Sequence, residues 1–212
     1  MDIPLKNLLK KRSQQELALL QDEVVDLLYS VDSSAVFHGG TSIWRCYDGK
    51  RFSEDLDFYL IPKTDFEEKL RGESEKRGLK VTKFRKTENS IFSKISNGRI
   101  ECSLELALRK KKGILGVYTK TDGTTINILI LSKEELILEK ANAFANRKLI
   151  RDIYDVFFLL DNVDLDKVRN KLQKIIKDFK EPIDEGNLKT LVYSGITPTL
   201  PNMLQLIRGR LK

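Results

Sequence analysis

Two aspartates, Asp55 and Asp57, open an apolar run, and this pattern restricts the possible folds more than any other. Residues 55–61 (DLDFYLI) alternate and then become fully apolar, which predicts a strand in the centre of a sheet. Side chains two residues apart on a strand point to one face, so the two carboxylates lie close together and repel. Mg²⁺ prefers such oxygen ligands and would offset the repulsion. The alternative interpretation is a pair that merely faces solvent.

A glycine turn precedes this strand. Residues 35–37 predict a short strand that enters a turn at Gly39-Gly40, and a helix is expected over 41–47. Glycine lets the backbone approach a ligand closely, and the free N–H groups of a helix's first turn attract anions. Thr41 and Ser42 add hydroxyl donors suited to phosphates. Gly-Gly-Thr-Ser alone is more often an ordinary turn, but together with the aspartate pair it predicts a phosphate site beside a metal site.

The rest of the chain predicts an α+β fold. Strand candidates lie at 79–86, 90–96, 99–108 and 125–131, with an Asn-Gly hairpin signal at 97–98, and helix candidates lie at 13–30, 64–77, 164–179, 185–193 and 200–210. Ser132 and Glu135 form a capping box at the start of a helix expected to reach about Leu160. We therefore expect a mixed β-sheet domain with flanking helices over 1–131, followed by a C-terminal helical domain over 132–212.

Composition limits the function classes. The net charge is +7 (38 basic minus 31 acidic side chains), which favours polyanionic partners, although a solvated lysine-rich surface accounts for it equally well. Cys46 and Cys102 are too few for a disulfide framework and have no metal-ligand spacing. No secretory signal and no apolar run of about 20 residues is evident. The expected protein is soluble and cytoplasmic, with no membrane contact.

Charged side chains recur within residues 139–160. At about 100° per residue, Lys140, Arg147, Arg151 and Asp155 fall in one narrow sector if the helix is unbroken. An amphipathic helix with a solvated basic face is the ordinary interpretation of such a pattern. Asn142 and Asn146 would allow a break near residue 146, which would weaken the single-face argument.

These segments together resemble the nucleotidyltransferase superfamily, whose signature is Gly-Gly/Ser, a spacer and Asp/Glu-x-Asp/Glu. The closer resemblance is to the AbiEii/AbiGii toxin family, which includes the MenT toxins. Residues 39–57 match its first motif, with Arg51 in place. Residues 99–103 are similar to the second motif, with Arg and Glu where Lys and Asp are usual, and residues 139–160 are similar to the third and fourth. The resemblance spans roughly residues 36–160, and 161–212 match nothing.

The resemblance implies roles for the carboxylates. Asp55, Asp57 and Glu101 would be catalytic and would bind Mg²⁺, with a two-metal site expected. Glu105 lies on the same face of the predicted strand and competes with Glu101, which the motif position favours.

The resemblance also implies roles for the remaining site residues. Gly39, Gly40, Thr41, Ser42 and Arg51 would bind the nucleotide. Lys140 would neutralise triphosphate charge, and Arg147, with Arg151, would contact phosphate or base. Asp155 would orient or help to activate the reactants, or would instead pair with Arg151 four residues earlier.

The implied activity is Mg²⁺-dependent transfer of a nucleoside monophosphate from a nucleoside triphosphate to an acceptor hydroxyl, of the phage-defence or toxin–antitoxin type. The acceptor would be a tRNA 3′ end or other RNA, a protein or a small molecule, and the basic charge leans towards RNA. A cognate antitoxin protein is an expected partner. The alternative is a non-catalytic nucleotide- or RNA-binding module with the same fold.

Overall fold

The computed structural model describes residues 4–212, so the first residues of the predicted catalytic domain lie outside the described part. Its strands are β1 (Val36–His38), β2 (Leu56–Tyr59), β3 (Lys80–Lys86), β4 (Ser90–Ser96), β5 (Glu101–Ala107), β6 (Ile114–Thr119) and β7 (Thr125–Ile130). Its α-helices are α1 (Leu5–Leu8), α2 (Arg12–Val31), α3 (Gly39–Cys46), α4 (Phe66–Lys76), α5 (Lys133–Arg147), α6 (Ile150–Leu159), α7 (Leu165–Lys177), α8 (Leu188–Leu191) and α9 (Leu200–Leu211), with a 3₁₀ turn at Glu185–Asn187. This confirms the predicted α+β class.

The chain divides into two compact units. The sheet unit consists of the residues up to Asp48 together with Phe52–Leu131, and the helical unit consists of Gly49–Arg51 together with Ser132–Lys212. A three-residue piece of the first motif therefore belongs to the helical unit.

A seven-stranded mixed sheet forms the sheet unit, in the order β3-β4-β5-β2-β1-β7-β6. Pairing is parallel for β2 with β5 and for β1 with β7, and antiparallel elsewhere. The predicted hairpin turn joins β4 to β5: Gly98 has φ +88°, and the side-chain oxygen of Asn97 accepts a hydrogen bond from the backbone N–H of Arg99 at 3.1 Å.

The two faces of this sheet differ because the strands alternate. One face, here called the core face, is buried with α2 and α4; it carries Phe37, Phe58, Ile91, Ile95, Leu104 and Leu106. The other, here called the open face, carries polar and charged side chains; among them are His38, Asp57, Lys94, Ser103 and Glu105. The alternation places the polar residues of the motifs together on the open face.

Helices build the helical unit. The Ser132 side chain accepts a hydrogen bond from the backbone N–H of Glu135 at 3.3 Å, so the predicted cap is confirmed. The prediction of one helix to Leu160 is wrong, because Lys148 takes a left-handed conformation (φ 54°) that ends α5. The carboxylate of Asp184 then accepts a hydrogen bond from the first N–H of α6, at Ile150, at 2.6 Å. The break lies close to the residue that the sequence offered as the alternative.

Some local predictions differ from the structure. The sequence patterns do not predict β6, and α4 begins at Phe66, where a helix from residue 64 was expected. Within residues 4–212, no helix is both long and apolar enough to cross a membrane.

Candidate active site

The start of α3 lies against the Asp57 carboxylate. β1 ends at His38, which pairs with Asp57 on β2, and α3 begins at the next residue, Gly39. Gly39 has φ +79°, and a Cβ added there would lie 2.9 Å from the Asp57 carboxyl carbon, nearer than real Cβ atoms approach. Only glycine combines this backbone conformation with so close an approach. The glycine turn and the second aspartate are therefore parts of one local structure.

The hydroxyls of the first turn of α3 face inwards. The Thr41 side chain is fully buried and donates a hydrogen bond to the backbone carbonyl of Asp55 at 2.6 Å. Ser42 is also fully buried, one helical turn before Cys46. Thr41 thus fixes the segment before β2. An anion at this turn would contact the backbone N–H groups of α3 rather than the buried hydroxyls of Thr41 and Ser42.

A third carboxylate, that of Glu105, lies beside Asp57. In the parallel pairing of β2 with β5, Asp57 is directly opposite Glu105. Asp55 comes just before β2 and is exposed. Partial burial raises the pKa of Glu105, and the negative charges of Asp57 and Asp55 raise that pKa further, against a smaller effect of His38. Strand pairing therefore places Glu105 beside Asp57, and Asp55 is near enough for its charge to act on Glu105.

Glu101 has a different environment. It precedes Glu105 by four residues on β5, which corresponds to roughly 13 Å along the strand. Its carboxylate accepts a hydrogen bond from the Thr82 hydroxyl at 2.6 Å and from the Lys94 ammonium at 3.0 Å. These two hydrogen bonds lower the pKa of Glu101. The structure therefore places Glu105, and not the favoured Glu101, beside Asp57.

Asp155 lies in a buried ion cluster of the helical unit. It is fully buried and binds Arg51 through both carboxylate oxygens, at 2.6 Å to Nε and 2.5 Å to Nη2. The Lys140 ammonium lies 3.2 Å from one of these oxygens. Burial alone would raise the pKa of Asp155, but Arg51 and Lys140 outweigh it and hold that pKa below its usual range. Three residues predicted to act on the nucleotide or its chemistry thus form one buried ion cluster inside the helical unit, with two cations around one carboxylate.

Arg147 and Arg151 do not share the arrangement that an unbroken helix predicts. Arg147 ends α5 and donates two hydrogen bonds of 2.7 Å to the fully buried carboxylate of Asp152, which the sequence analysis did not identify. The spacing of five residues crosses the helix break, so no helical-face rule indicates this pair. The Nε atom of Arg151 is buried and has no hydrogen-bond partner among residues 4–212, so Arg151 stays a candidate contact for an anion.

A family model decides the relationship to known proteins. The model of the nucleotidyl transferase AbiEii toxin, Type IV toxin–antitoxin system, matches residues 26–208. The chain belongs to the AbiEii nucleotidyltransferase toxin family. The match extends beyond residues 36–160, over which the resemblance was recognised, and includes most of the C-terminal segment. A search of curated proteins finds no match.

Solved structures share the fold of this AbiEii family member. MenT4, a nucleotidyltransferase toxin from Mycobacterium tuberculosis H37Rv, has a TM-score of 0.64 and 20% identity over 93% of this chain and 82% of its own. JHP933 from Helicobacter pylori has a TM-score of 0.64 and 22% identity, covering 92% and 94%. ANT(2″)-Ia in complex with adenylyl-2″-tobramycin has a TM-score of 0.53 and 12% identity, covering 78% and 99%. The family match identifies the chain as an enzyme that transfers nucleotides, and these structures share its fold.

The AbiEii family relationship raises the question of a divalent metal. Within the described residues, no three His, Cys, Asp or Glu side chains are already arranged as a metal-binding group. Mg²⁺ usually takes only one or two carboxylates and completes its shell with water and substrate phosphates. Asp57 against Gly39, with Glu105 opposite and Asp55 close by, supplies hard oxygen ligands on one face. The donor set of this AbiEii protein therefore fits Mg²⁺.

Proposed function

We propose that this enzyme moves a nucleoside monophosphate from a nucleoside triphosphate to an acceptor hydroxyl and that Mg²⁺ supports the transfer. The observation that carries the proposal is the contact of the Asp57 carboxylate with the start of α3, together with Glu105 on the neighbouring strand. A phosphate-binding turn and a carboxylate group in direct contact are what transfer of a phosphoryl centre requires.

The triphosphate would bind at the first turn of α3. The backbone N–H groups at Gly39 and Gly40 and the positive end of the helix dipole favour an anion there. The Thr41 hydrogen bond keeps Asp55 beside this turn. In this proposal the side chains of Thr41 and Ser42 support the turn and do not bind phosphate.

Glu105 would accept the proton of the acceptor. As the acceptor oxygen bonds to the α-phosphorus, the bond from that phosphorus to pyrophosphate breaks and the hydroxyl proton passes to Glu105. The position of Glu105 supports this role, because strand pairing places it directly opposite Asp57 on the open face. Mg²⁺, held by Asp55 and Asp57, would offset the charge on the phosphates. Glu105 thus replaces Glu101 as the proposed third carboxylate.

The helical-unit residues take structural roles in this proposal. Arg51, Lys140 and Asp155 would stabilise the helical unit through their buried ion cluster, and Arg147 would do so through Asp152.

The wider setting is also proposed. The family description names a Type IV toxin–antitoxin system, which supports a cognate antitoxin for this chain, and a role in phage defence is part of this proposal. The net charge of +7 supports RNA, including a tRNA 3′ end, as the acceptor. ANT(2″)-Ia carries an adenylylated tobramycin, so a small-molecule acceptor is the competing class. RNA and nucleotide substrates would place the enzyme in the cytoplasm.

The test is transfer of α-³²P from each of the four ribonucleoside triphosphates, with Mg²⁺, onto total RNA and total protein. Label that appears with the wild type and with Glu101→Gln, but not with Asp57→Asn, would support the proposed chemistry and identify base and acceptor class. Equal labelling by wild type and Asp57→Asn would exclude the proposed site, because Asp57 is central to it. Metal-dependent nucleotide binding without transfer would favour the non-catalytic module.

A further inference from the structure

A row of side chains crosses the open face at the level of the carboxylates. Strand pairing puts His38 opposite Asp57, Asp57 opposite Glu105, and Glu105 opposite Phe92 on β4. Phe92 is in turn opposite Arg85 on the edge strand β3. Residues opposite one another in neighbouring strands share a face and are near neighbours. The row therefore leads from the start of α3, past the carboxylates, to an aromatic ring and a cation.

Phe92 is an unusual residue at this position. Phe37 and Phe58 lie on the core face and are fully buried, whereas Phe92 lies on the open face and is only half-buried. The Lys83 ammonium lies 5.2 Å from the centre of the Phe92 ring. Lys83 and Arg85, both on β3, are exposed. An accessible ring flanked by two cations is suited to a ligand with both aromatic groups and negative charge.

The position of this surface indicates which substrate it would meet. Phosphoryl transfer is in line, so the attacking oxygen approaches on the side opposite the leaving group. In the proposed function the leaving pyrophosphate lies at the first turn of α3, next to β1. The carboxylates on β2 and β5 come next across the sheet, and Phe92 lies beyond them on β4. The acceptor would therefore approach from the side of Glu105 and Phe92.

We infer, on the basis of the proposed function, that Phe92, Lys83 and Arg85 form the acceptor surface and that its occupant is single-stranded nucleic acid. One base stacks on Phe92, and the neighbouring phosphates contact Lys83 and Arg85. Bases of a duplex are stacked on each other and are not free to cover a protein ring. Lys83 argues against a protein partner, because lysine is depleted at protein interfaces, whereas Phe92 and Arg85 do not distinguish the two classes of partner.

The test measures binding of a fluorescent single-stranded RNA of roughly 12 nucleotides, and of an equally long ribose-phosphate chain without bases, by anisotropy. We expect Phe92→Leu to weaken binding of the base-containing strand by roughly 5- to 100-fold and to leave the abasic strand nearly unchanged. Phe92→Trp should restore the preference for bases. The abasic strand has no base to stack on residue 92, so it should be insensitive to the loss of stacking. A general folding defect would instead weaken binding of both strands equally.

A matched pair of charge variants tests the cations independently. Arg85→Gln on the open face should weaken the binding of both strands. It should also reduce the slope of the logarithm of the binding constant against the logarithm of salt concentration by the amount expected for about one phosphate contact. Lys86→Gln is the control, because Lys86 lies on the same strand but is opposite Ile91 and so belongs to the other face. Equal effects of the two variants would overturn the surface assignment and leave only nonspecific attraction.

Kinetics separate this inference from the proposed function. In the transfer assay, Phe92→Leu should raise KM for the RNA acceptor and leave KM for the nucleoside triphosphate unchanged. A rise only in KM for the nucleotide would assign Phe92 to the incoming base and overturn the inference while leaving the transferase intact. Label on protein, with no base-dependent RNA binding by the wild type, would overturn it in favour of a protein acceptor. Base-dependent RNA binding through Phe92 without any transfer would instead count against the proposed function.

Discussion

The two units contain carboxylates in opposite electrostatic environments. In the helical unit, the charge of Asp155 is offset by Arg51 and Lys140, and its pKa is lowered despite complete burial. In the sheet unit, partial burial raises the pKa of Glu105, and the negative charges of Asp57 and Asp55 raise it further. Like charges held together are costly for the free protein and useful to an incoming cation, whereas a buried cluster of opposite charges serves the fold. The environment of each carboxylate, more than its place in a motif, indicates its role.

The largest expected effect concerns the open face. Asp57→Asn should reduce nucleotidyl transfer by about 10³-fold or more, because charge stabilisation at the reacting phosphate is lost. Its melting temperature without metal should equal or exceed that of the wild type, since one repelling charge is removed. Transfer assays and thermal denaturation in EDTA measure the two quantities. A strongly destabilised Asp57→Asn would contradict the contrast between the units.

The helical unit should respond in the opposite way. Asp155→Asn leaves Arg51 and Lys140 buried without their counter-charge, so the free energy of unfolding should fall by about 3–5 kcal/mol. Asp161→Asn is the control: Asp161 pairs with Arg210 at 2.6 Å on the surface, and its loss should cost less than about 1 kcal/mol. Urea denaturation compares the two. If Asp155→Asn unfolds like the wild type but no longer transfers, Asp155 takes part in the chemistry after all.

Two glutamates on one strand sharpen the comparison within the sheet unit. Glu105→Gln should lower transfer by about 10²-fold, in the range typical of a lost proton acceptor, while Glu101→Gln stays close to wild type. The rate of label transfer at saturating substrate, measured side by side, decides between them. The reverse order of effects would return the third-carboxylate role to Glu101.

The smallest effect is in the pH dependence of stability, which should have opposite signs for the two carboxylates. The contribution of Asp155, whose pKa is lowered, is present above its ordinary value of 3.8 and is lost as pH falls through the folded-state value. The contribution of Glu105, whose pKa is raised, is full below its ordinary value of 4.5 and is lost as pH rises through the folded-state value.

Melting temperatures in EDTA over this range measure both effects. Glu105→Gln should be slightly more stable than the wild type at pH 7, and this difference should vanish below about pH 4. The decrease in melting temperature caused by Asp155→Asn should instead become smaller only as the pH falls below the ordinary pKa of aspartate. If melting temperature changed with pH in the same way for both variants, the electrostatic environments of Glu105 and Asp155 would not be opposite.

Local sequence signals predicted much of this fold. The Asn97-Gly98 turn and the Ser132 cap depend on neighbouring residues alone, and both are present. β6 was not predicted because Gly116 interrupts its apolar pattern. The absence of a side chain at Gly116 leaves room for the Ile130 side chain of the partner strand β7, and this contact between strands is not visible in any local sequence pattern. Helix α5 ends at Lys148 with a left-handed residue that is not glycine, so the usual stop signal is absent.

The site shows the same division between local and distant information. Gly39 and Asp57 belong to one motif, so their association could be predicted from it. Glu101 and Glu105 share a strand face, so only the register of β5 against β2 separates them, and that register depends on the whole sheet. The counter-charge of Asp155 comes from Arg51, far away in sequence, and helical periodicity indicated Arg151 instead.

The segment Gly49–Arg51 has a consequence for the order of events during synthesis. The backbone N–H of Tyr193 donates to the Lys50 carbonyl at 3.1 Å, and the Tyr193 hydroxyl donates to the Gly49 carbonyl at 2.9 Å. A chain emerging from the ribosome therefore presents this segment long before its partners on α6 and near residue 193 exist. Domains tend to fold as they emerge, N-terminal first. Asp57 and Glu105 can come together early, while Arg51 must wait for nearly the whole polypeptide before its hydrogen-bond partner Asp155 is in place.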